Sequence, residues 1–279
     1  MRSVIFVFMK EFKNKVVVIT GAGSGIGRAL ALAFAKEGAR LGLNEFNPST
    51  LDETVALIGN GSEVFPVAFD VSDKDAMFIF AKSVKERFGQ IDVMINNAGI
   101  SIGEYSLHQM DMALFERVMD VNFYGMLYGS QAFIPYLLEQ PEAALLNVSS
   151  VFGLTGIINS SAYCASKFAV YGLNQSLIQE HKNSTLTIHS VHPGGIKTNI
   201  AKNAVDYNEV HEAFHQQFLK LSPEYAASVI IAGIRKKKKR ILIGTEAHLL
   251  DFLVRLFPVL GSNIINRIIQ KKIEALTKK

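Results

Sequence analysis

Tyr163 and Lys167 stand four residues apart in a stretch that is predicted to be helical over 161–181. Residues four apart lie on one face of an α-helix, so the phenol and the ammonium are expected to be neighbours. A phenol has a pKa of about 10 in water, and a fixed cation beside it favours the phenolate. The pair could therefore serve as an acid or a base. The same spacing also arises by chance, when a core tyrosine lies beside a surface lysine.

A second candidate site is the glycine-rich segment TGAGSGIG at 20–27, which follows a buried strand-like run and precedes a helical stretch. Glycines permit a tight turn and a close approach to a pyrophosphate, whose charge a helix N-terminus attracts. The spacing is G-x-x-x-G-x-G, because Ile26 stands where the strict G-x-G-x-x-G pattern has its third glycine. The position between a strand and a helix makes nucleotide binding a stronger prediction than the glycines alone would allow.

Glu45 follows the second predicted strand, 18 residues after the last glycine of that turn. A carboxylate there can accept hydrogen bonds from both hydroxyls of an adenosine ribose and would repel a 2′-phosphate. An arginine at position 24 or 46 could receive a 2′-phosphate, but these positions hold Ser24 and Phe46. Arg28 and Arg40 are not far away. The sequence therefore predicts NAD in preference to NADP, the alternative being that Glu45 is a solvated acid.

Strand-like apolar runs alternate with amphipathic helical stretches along most of the 279 residues. Strands are predicted at 16–20, 40–44, 63–68, 93–96, 144–148, 187–192 and 241–244. Helices are predicted at 25–37, 49–58, 74–88, 111–139, 161–181 and 223–232. This alternation predicts parallel strands with helices on both faces of the sheet. We therefore expect an α/β fold with a single doubly wound Rossmann-type domain at 10–245, a mostly parallel seven-stranded sheet, and a C-terminal helical extension at 246–279.

The composition excludes several other classes of protein. The chain is 49% apolar and 19% charged, which suits a large core, and its net charge is only +4. No interleaved basic and aromatic surface of a nucleic-acid-binding protein is evident. The single cysteine, Cys164, excludes an internal disulfide and a multi-cysteine metal site, as expected in the cytoplasm. His211 and His215 share a predicted helix face, but no third ligand is evident, so we predict no metal.

Seven motifs in order make the chain resemble the short-chain dehydrogenase/reductase family from about residue 13 to 244. They are TGAGSGIG at 20–27, Asp70-Val71, Asn96-Asn97-Ala98-Gly99, Val121-Asn122, Ser149-Ser150, Tyr163 to Lys167, and Pro193-Gly194-Gly195-Ile196-Lys197-Thr198. Each motif is weak alone, whereas seven in the right order are jointly specific.

The resemblance implies a catalytic role for four residues. Tyr163 is expected to be the general acid/base, with Lys167 lowering its pKa and holding the nicotinamide ribose. Ser150 is expected to bond the substrate oxygen, and Asn122 to support a water that relays protons to Lys167. The neighbouring Ser149 is expected to be structural.

The resemblance also implies a set of cofactor contacts. Asp70 is expected to meet the adenine, Asn97 and the residues after it the adenosine side, and Ile196 and Thr198 the nicotinamide carboxamide. The full predicted set is Gly21, Ser24, Gly25, Ile26, Gly27, Glu45, Asp70, Val71, Asn97, Ala98, Gly99, Tyr163, Lys167, Pro193, Gly194, Ile196 and Thr198.

These implications predict an NAD-dependent oxidoreductase that moves a hydride between a nicotinamide and a hydrophobic secondary alcohol or ketone. Two alternatives stay open: an epimerase or dehydratase on the same scaffold, and a non-catalytic NAD-binding scaffold at a membrane surface. Residues 199–221 are expected to form a lid with an apolar side. A homodimer or homotetramer through the helices at 111–139 and 161–181 is expected from the resemblance.

The two ends of the chain are less informative. Two apolar-rich helical stretches are expected at 247–260 and 263–276, broken apart by Pro258 and Gly261 and each too short to cross a membrane. They could form a subunit interface, a cover over the substrate cleft, or a peripheral membrane contact helped by the basic run at 235–240. Residues 1–9 are expected to be a loosely packed leader.

Overall fold

The computed structural model describes residues 11–103, 105–198, 200 and 219–277. The expected leader and most of the expected lid, including His211 and His215, lie outside the described residues. Within them, seven parallel strands form one sheet in the order β3-β2-β1-β4-β5-β6-β7. The strands are β1 Val16–Thr20, β2 Arg40–Glu45, β3 Val64–Ala68, β4 Val93–Asn96, β5 Ala143–Val148, β6 Leu186–Pro193 and β7 Arg240–Ile243. The predicted α/β class and Rossmann-type sheet are confirmed.

Helices cover both faces of this sheet. They are α1 Gly25–Lys36, α2 Pro48–Ile58, α3 Lys74–Phe88, α4 Met112–Met119, α5 Gly125–Leu138, α6 Ser161–Glu180, α7 Pro223–Arg235, α8 Thr245–Leu256 and α9 Pro258–Thr277. Alternate residues of a strand face opposite sides, so Val17 and Ile19 of β1 join the core under α1, α2 and α7. Val16 and Val18 join the core under α3, α5 and α6. This two-sided burial explains why β1 is apolar at four consecutive positions.

The strand order reverses between β1 and β4, and the carboxyl ends of these two strands lie side by side. The Thr20 hydroxyl, which ends β1, accepts a hydrogen bond from the Asn97 main-chain N–H at 3.0 Å. The Asn97 side-chain amide donates to the Gly21 carbonyl at 3.2 Å. A crevice at such a switch point is the usual ligand site of doubly wound sheets.

The stretch predicted as one helix over 111–139 is helical from 112 to 138, but it is not a single α-helix. A π-helical turn, Asp120–Tyr124, separates α4 from α5 and turns Asn122 into the interior. The Asn122 side chain accepts a hydrogen bond from the Ile100 N–H at 2.8 Å and donates to the Ile100 carbonyl at 3.0 Å. Apolar periodicity within the helix could not reveal this interruption, since it depends on a partner 22 residues away.

The predicted break between the two C-terminal helices is also misplaced. Pro258 does not interrupt a helix but begins α9, a position where a missing N–H costs nothing. Gly261 lies inside α9, where a Cβ would come within 2.9 Å of the Leu253 carbonyl oxygen of α8. The glycine therefore permits the two helices to cross closely. No described helix is long and apolar enough to cross a membrane. The boundary placed between 245 and 246 stays a prediction.

Candidate active site

The glycines of the turn between β1 and α1 lie too close to neighbouring atoms to be replaced by larger residues. Gly21 has a φ of +66°, and a Cβ there would lie 2.8 Å from the Ala98 Cα. A Cβ on Gly27 would lie 2.0 Å from the Gly21 carbonyl oxygen. Only glycine tolerates such approaches, so the main chain of this turn stays bare beside the start of α1.

The N-terminus of α1 is arranged in a way that suits an anion. Its N-cap residue, Ser24, makes no capping hydrogen bond, and its first turn holds no acidic residue. The first N–H groups of a helix have no intrahelical partners and carry partial positive charge. A Cβ on Gly25 would lie 2.9 Å from Thr198 Cγ2, so the segment after β6 closes over this turn. Ile26 packs against the core instead. A bare cradle at an uncapped helix start fits a pyrophosphate.

Glu45 lies at the end of β2 and contacts the same turn. Its Oε2 accepts a hydrogen bond from the Gly23 N–H at 2.8 Å, and its Oε1 accepts one from the Phe46 N–H at 2.9 Å. Each carboxylate oxygen can accept a further bond. Arg28 pairs with Glu53 at 2.8 Å, and Arg40 donates to the Phe88 carbonyl at 3.3 Å. Both arginines are thus engaged elsewhere, which fits a ribose diol better than a 2′-phosphate.

Asp70 is paired with a residue that the sequence did not point to. Its Oδ2 lies 2.6 Å from an Arg117 nitrogen, and its Oδ1 accepts from the Ser72 hydroxyl at 2.7 Å. Burial alone would raise the pKa of Asp70, but hydrogen bonds from Ser72 and Arg117 outweigh it and hold that pKa below its ordinary value. The neighbouring Val71 is buried against Gly125. An adenine that bonded to Asp70 would therefore share its carboxylate with Arg117.

Ser150, Tyr163 and Lys167 come together beyond the carboxyl end of β5. The Tyr163 side chain is hydrogen-bonded to that of Ser150, and Lys167 Nζ lies 5.6 Å from the centre of the Tyr163 ring. The same ammonium donates to the Val148 carbonyl at 3.1 Å. Ser149 instead donates its hydroxyl to the Lys167 carbonyl at 2.8 Å, which supports its expected structural role.

The expected lowering of the Tyr163 pKa by Lys167 is not found in this geometry. Burial raises the pKa of Tyr163 to about 12, although the hydrogen bond from Ser150 opposes the rise. Burial also lowers the pKa of Lys167 to about 8. Spacing along the helix indicates only the neighbouring charge, whereas removal from water is the larger effect on the pKa of both groups. At neutral pH the phenol is therefore protonated and can donate a proton.

Asn122 and Gly99 lie beside Lys167. An ideal Cβ on Gly99 would be 3.1 Å from the Asn122 side-chain oxygen and 3.4 Å from Lys167 Nζ. The Asn122 amide also donates to the Ser166 hydroxyl at 3.1 Å. Both side-chain N–H groups of Asn122 thus brace Ile100 and α6, and its side-chain oxygen can accept one further hydrogen bond. The segment after β4 is thereby held against the lysine.

Behind Ser150 runs a chain of buried hydrogen bonds that sequence reasoning did not find. Asn147 donates to Asn174 at 2.8 Å, and Asn174 donates to the Ser190 hydroxyl at 3.1 Å. The Ser190 hydroxyl lies 2.9 Å from His192 Nε2, and His192 Nδ1 lies 3.2 Å from the Ser150 carbonyl oxygen. A carbonyl can only accept, so Nδ1 carries the proton and Nε2 accepts from Ser190.

His192 therefore connects the centre of the sheet to the main chain of Ser150. Burial lowers its pKa to about 4, so the ring is neutral at physiological pH. Both ring nitrogens are hydrogen-bonded, so His192 is a satisfied structural histidine. Its link to Ser150 could not be read from the sequence, because the partner is 42 residues away.

Apolar side chains flank Tyr163 on both sides. The preceding residue, Ala162, is buried in a small cluster with Ile102. The following residue, Cys164, is buried in another cluster with Ile157 and with Ile269 of α9. The Phe152 ring packs edge-on against the Tyr163 ring, with centroids 6.0 Å apart. Tyr163 therefore lies among apolar side chains.

The residues directly after β6 contact the neighbouring segments mostly through their main chain. Pro193 is the last residue of β6, and the Gly194 N–H donates to the Ile243 carbonyl at 3.0 Å. Ile196 is buried and bridges to Leu221. Ile196, which was expected near a nicotinamide carboxamide together with Thr198, is therefore part of the hydrophobic core.

Comparisons with known proteins agree on one family. The family model for short chain dehydrogenase matches residues 15–209. SadH of Mycobacterium tuberculosis, which is classed as an oxidoreductase, is 38% identical over 263 residues that cover 91% of this chain and 94% of SadH. Levodione reductase of Leifsonia aquatica is 34% identical over 198 residues, covering 70% of this chain and 74% of that protein.

A solved structure extends the agreement to the whole fold. A short-chain dehydrogenase/reductase from Burkholderia phymatum, in complex with NAD, superposes with a TM-score of 0.82 at 29% identity and covers 90% of this chain and 96% of that chain. With a matching family model, full-length relatives and a common fold, the chain belongs to the short-chain dehydrogenase/reductase family of oxidoreductases.

Proposed function

We propose that this chain is an NAD-dependent oxidoreductase that transfers a hydride between nicotinamide and a hydrophobic secondary alcohol or ketone. The observation that carries the proposal is the buried group of Tyr163, Ser150 and Lys167 beside the glycine cradle after β1. The NAD complex of the Burkholderia relative and the name of levodione reductase support the cofactor and the reaction.

Each residue of the group has a defined task in this mechanism. A bound nicotinamide supplies the hydride when reduced and accepts it when oxidised. During reduction, Ser150 and Tyr163 donate hydrogen bonds to the carbonyl oxygen, where negative charge develops. Tyr163 passes its phenolic proton to that oxygen, and the Lys167 ammonium stabilises the phenolate that remains. Asn122 holds the main chain beside Lys167, and we assign it the support of the proton path.

The substrate class follows from the walls around Tyr163. The two apolar clusters contain the residues on either side of Tyr163 in the chain, and the Phe152 ring packs against its ring. A pocket of that kind favours a hydrophobic molecule with one oxygen-bearing carbon. We also propose that the protein acts in the cytoplasm as a homodimer or homotetramer. The oligomer is supported by apolar side chains exposed on the π-helical turn, α5 and α6: Tyr124, Leu138 and Phe168.

Turnover of a panel of hydrophobic secondary alcohols and ketones tests the proposal through NADH fluorescence. Tyr163→Phe removes the proton donor and should lower turnover by about 10³-fold with NAD binding retained. The matched control is Tyr136→Phe, which removes a hydroxyl from α5 away from this site. Unchanged turnover in Tyr163→Phe would refute the mechanism.

The other outcomes identify the two alternatives. Product formation without net change in NADH would indicate an epimerase or dehydratase. Normal NAD binding with no turnover on the whole panel would indicate a non-catalytic scaffold.

A further inference from the structure

The C-terminal helices carry an exposed apolar surface that the proposed reaction does not use. Eight large apolar side chains on it are between 39% and 74% exposed: Leu249, Phe252, Leu256, Phe257, Val259, Leu260, Ile264 and Ile268. Residues 256–260, at the corner between α8 and α9, are all exposed. We call these eight side chains the apolar tip.

The helices that bear the apolar tip are anchored to the rest of the domain. On α9, the Asn266 side chain accepts from the Ile158 N–H at 2.9 Å and donates to the Gly156 carbonyl at 2.9 Å. Ile269 of the same helix is buried against Ile157. On α8, Asp251 is buried and forms a bidentate pair with Arg240 of β7. The exposed side is therefore held in place while its apolar groups face outward.

A basic pocket adjoins the apolar tip between α7, β7 and α8. Four basic side chains line it, and its remaining walls include Val229, Ala232, Ile241 and Leu242; the basic residues are Lys236, Lys238, Arg240 and His248. Lys236 and Lys238 are exposed, and no acidic side chain within the described ranges pairs with either ammonium. By contrast, Lys237 between them lies 2.8 Å from Glu142.

The pocket and the apolar tip both include residues of α8. His248 of the pocket directly precedes Leu249 on α8. Leu249, Phe252 and Leu256 have the spacing that places side chains on a single helix face. Helix α8 therefore connects the pocket, through His248, to three side chains of the apolar tip.

The charge of the C-terminal segment matches an anionic partner. Residues 247–279 contain six lysines and arginines and two acidic residues, a net charge of 6 − 2 = +4, which equals the net charge of the whole chain. One of the two acids, Asp251, is already neutralised by Arg240. Arg255, Arg267 and Lys271 are exposed on the same helices as the apolar tip.

We propose that this surface docks on an anionic phospholipid membrane, with the apolar tip entering the interface and the basic pocket meeting headgroup phosphates. Helices that combine an apolar face with basic residues bind at such interfaces without crossing them. A second copy of the chain is a poorer occupant, since it would bring two faces of the same positive charge together. The proposal goes beyond the proposed reaction and does not depend on it.

Co-sedimentation of the full-length protein with vesicles tests this proposal. We expect binding to phosphatidylcholine vesicles that contain phosphatidylglycerol, much weaker binding to phosphatidylcholine alone, and weaker binding as salt is raised. The double variant Leu256→Ser and Phe257→Ser should lower partitioning by about 100-fold. The double variant Lys236→Ala and Lys238→Ala should lower it by about 30-fold.

Matched controls replace equally exposed residues elsewhere. Leu57→Ser with Ile79→Ser, on α2 and α3, removes apolar side chains that are 60% and 65% exposed. Lys74→Ala with Lys82→Ala removes two exposed lysines of α3. Both control variants should bind the vesicles as the unaltered chain does, and all four variants should keep its melting temperature.

Three results would overturn the proposal. The first is no binding, or equal binding to neutral and anionic vesicles. The second is a loss of binding in the control variants as large as in the test variants. The third is that Leu256→Ser with Phe257→Ser dissociates an oligomer in the absence of vesicles, measured by analytical ultracentrifugation, since a second copy would then cover the apolar tip.

Discussion

The turn after β1 and the group after β5 lie at the same edge of the sheet but are built from different chemical groups. The first is made of bare main chain: Gly21 and Gly27 exclude side chains, and the start of α1 is left uncapped. The second is made of side chains, Ser150, Tyr163 and Lys167, which are held by buried hydrogen bonds. We call them the cofactor region and the catalytic region.

This difference predicts how the two regions respond to substitution. Main-chain groups are positioned by local conformation, so changes in the cofactor region should act mainly on cofactor affinity. The side chains of the catalytic region are positioned by distant partners, so changes there should act mainly on turnover and on proton equilibria. Four substitutions test this separation.

The largest effect is expected at Gly27, where a methyl group would meet the Gly21 carbonyl oxygen at 2.0 Å. Gly27→Ala should weaken NAD binding by about 100-fold and lower stability by about 1–3 kcal/mol, because the turn must open. The control is Gly172→Ala in α6, where nothing lies within 4 Å of an added Cβ. That change should stabilise the fold by about 0.5–1 kcal/mol. Calorimetric NAD titration and thermal melting measure both, and an unchanged NAD affinity in Gly27→Ala would contradict the prediction.

The second effect concerns the pH dependence of stability. Burial lowers the pKa of Lys167 to about 8 from an ordinary 10.5, so between these values the folded chain binds fewer protons than the unfolded chain. Stability from this group therefore rises with pH through that window, by about 2 kcal/mol between pH 7 and pH 10. Lys167→Met should abolish that rise in denaturant titrations, whereas Lys182→Met, at an exposed position, should retain it. An equal rise in Lys167→Met would show that other groups cause it.

The third effect tests the chain behind Ser150. His192→Leu removes the donor to the Ser150 carbonyl and should lower kcat by about 10-fold while leaving NAD affinity unchanged. His192→Asn retains a donor near the Nδ1 position and should restore part of the loss. The matched control is His189→Leu, which removes a buried histidine that bonds the Lys238 carbonyl instead. A similar loss of kcat in both leucine variants would mean that His192 is merely structural.

The last effect, of the same size as that at His192, is expected at Glu45, whose carboxylate oxygens can each accept a further hydrogen bond from a ribose hydroxyl. Glu45→Ala should reduce the preference for NAD over NADP by about 10-fold, because a charge-assisted hydrogen bond and the repulsion of a 2′-phosphate are lost together. Affinities for both nucleotides, measured by titration, give the ratio. Equal affinities in the unaltered chain would remove the basis of the NAD assignment. Since Glu45 contacts the cofactor region through the Gly23 N–H, turnover at saturating cofactor should not change.

Sequence patterns were most informative where structure is local. Strand β1 and helix α3 have the predicted bounds, because strand burial and helix periodicity are properties of consecutive residues. The spacing of Tyr163 and Lys167 correctly predicted that they share a face of α6. The interruption at Asp120–Tyr124 was missed, because a contact between Asn122 and Ile100 stabilises it.

By itself, the sequence determined the α/β class, the family and the identity of the residues proposed for chemistry, since these depend on motifs and on the order of elements along the chain. Tertiary structure alone decided the pairing of Asp70 with Arg117, the link from His192 to Ser150, and the exposure of the apolar tip. It also reversed the expected direction of the Tyr163 pKa. The physical reason is common to all four: desolvation and partners distant in sequence depend on how the chain packs, which spacing does not encode.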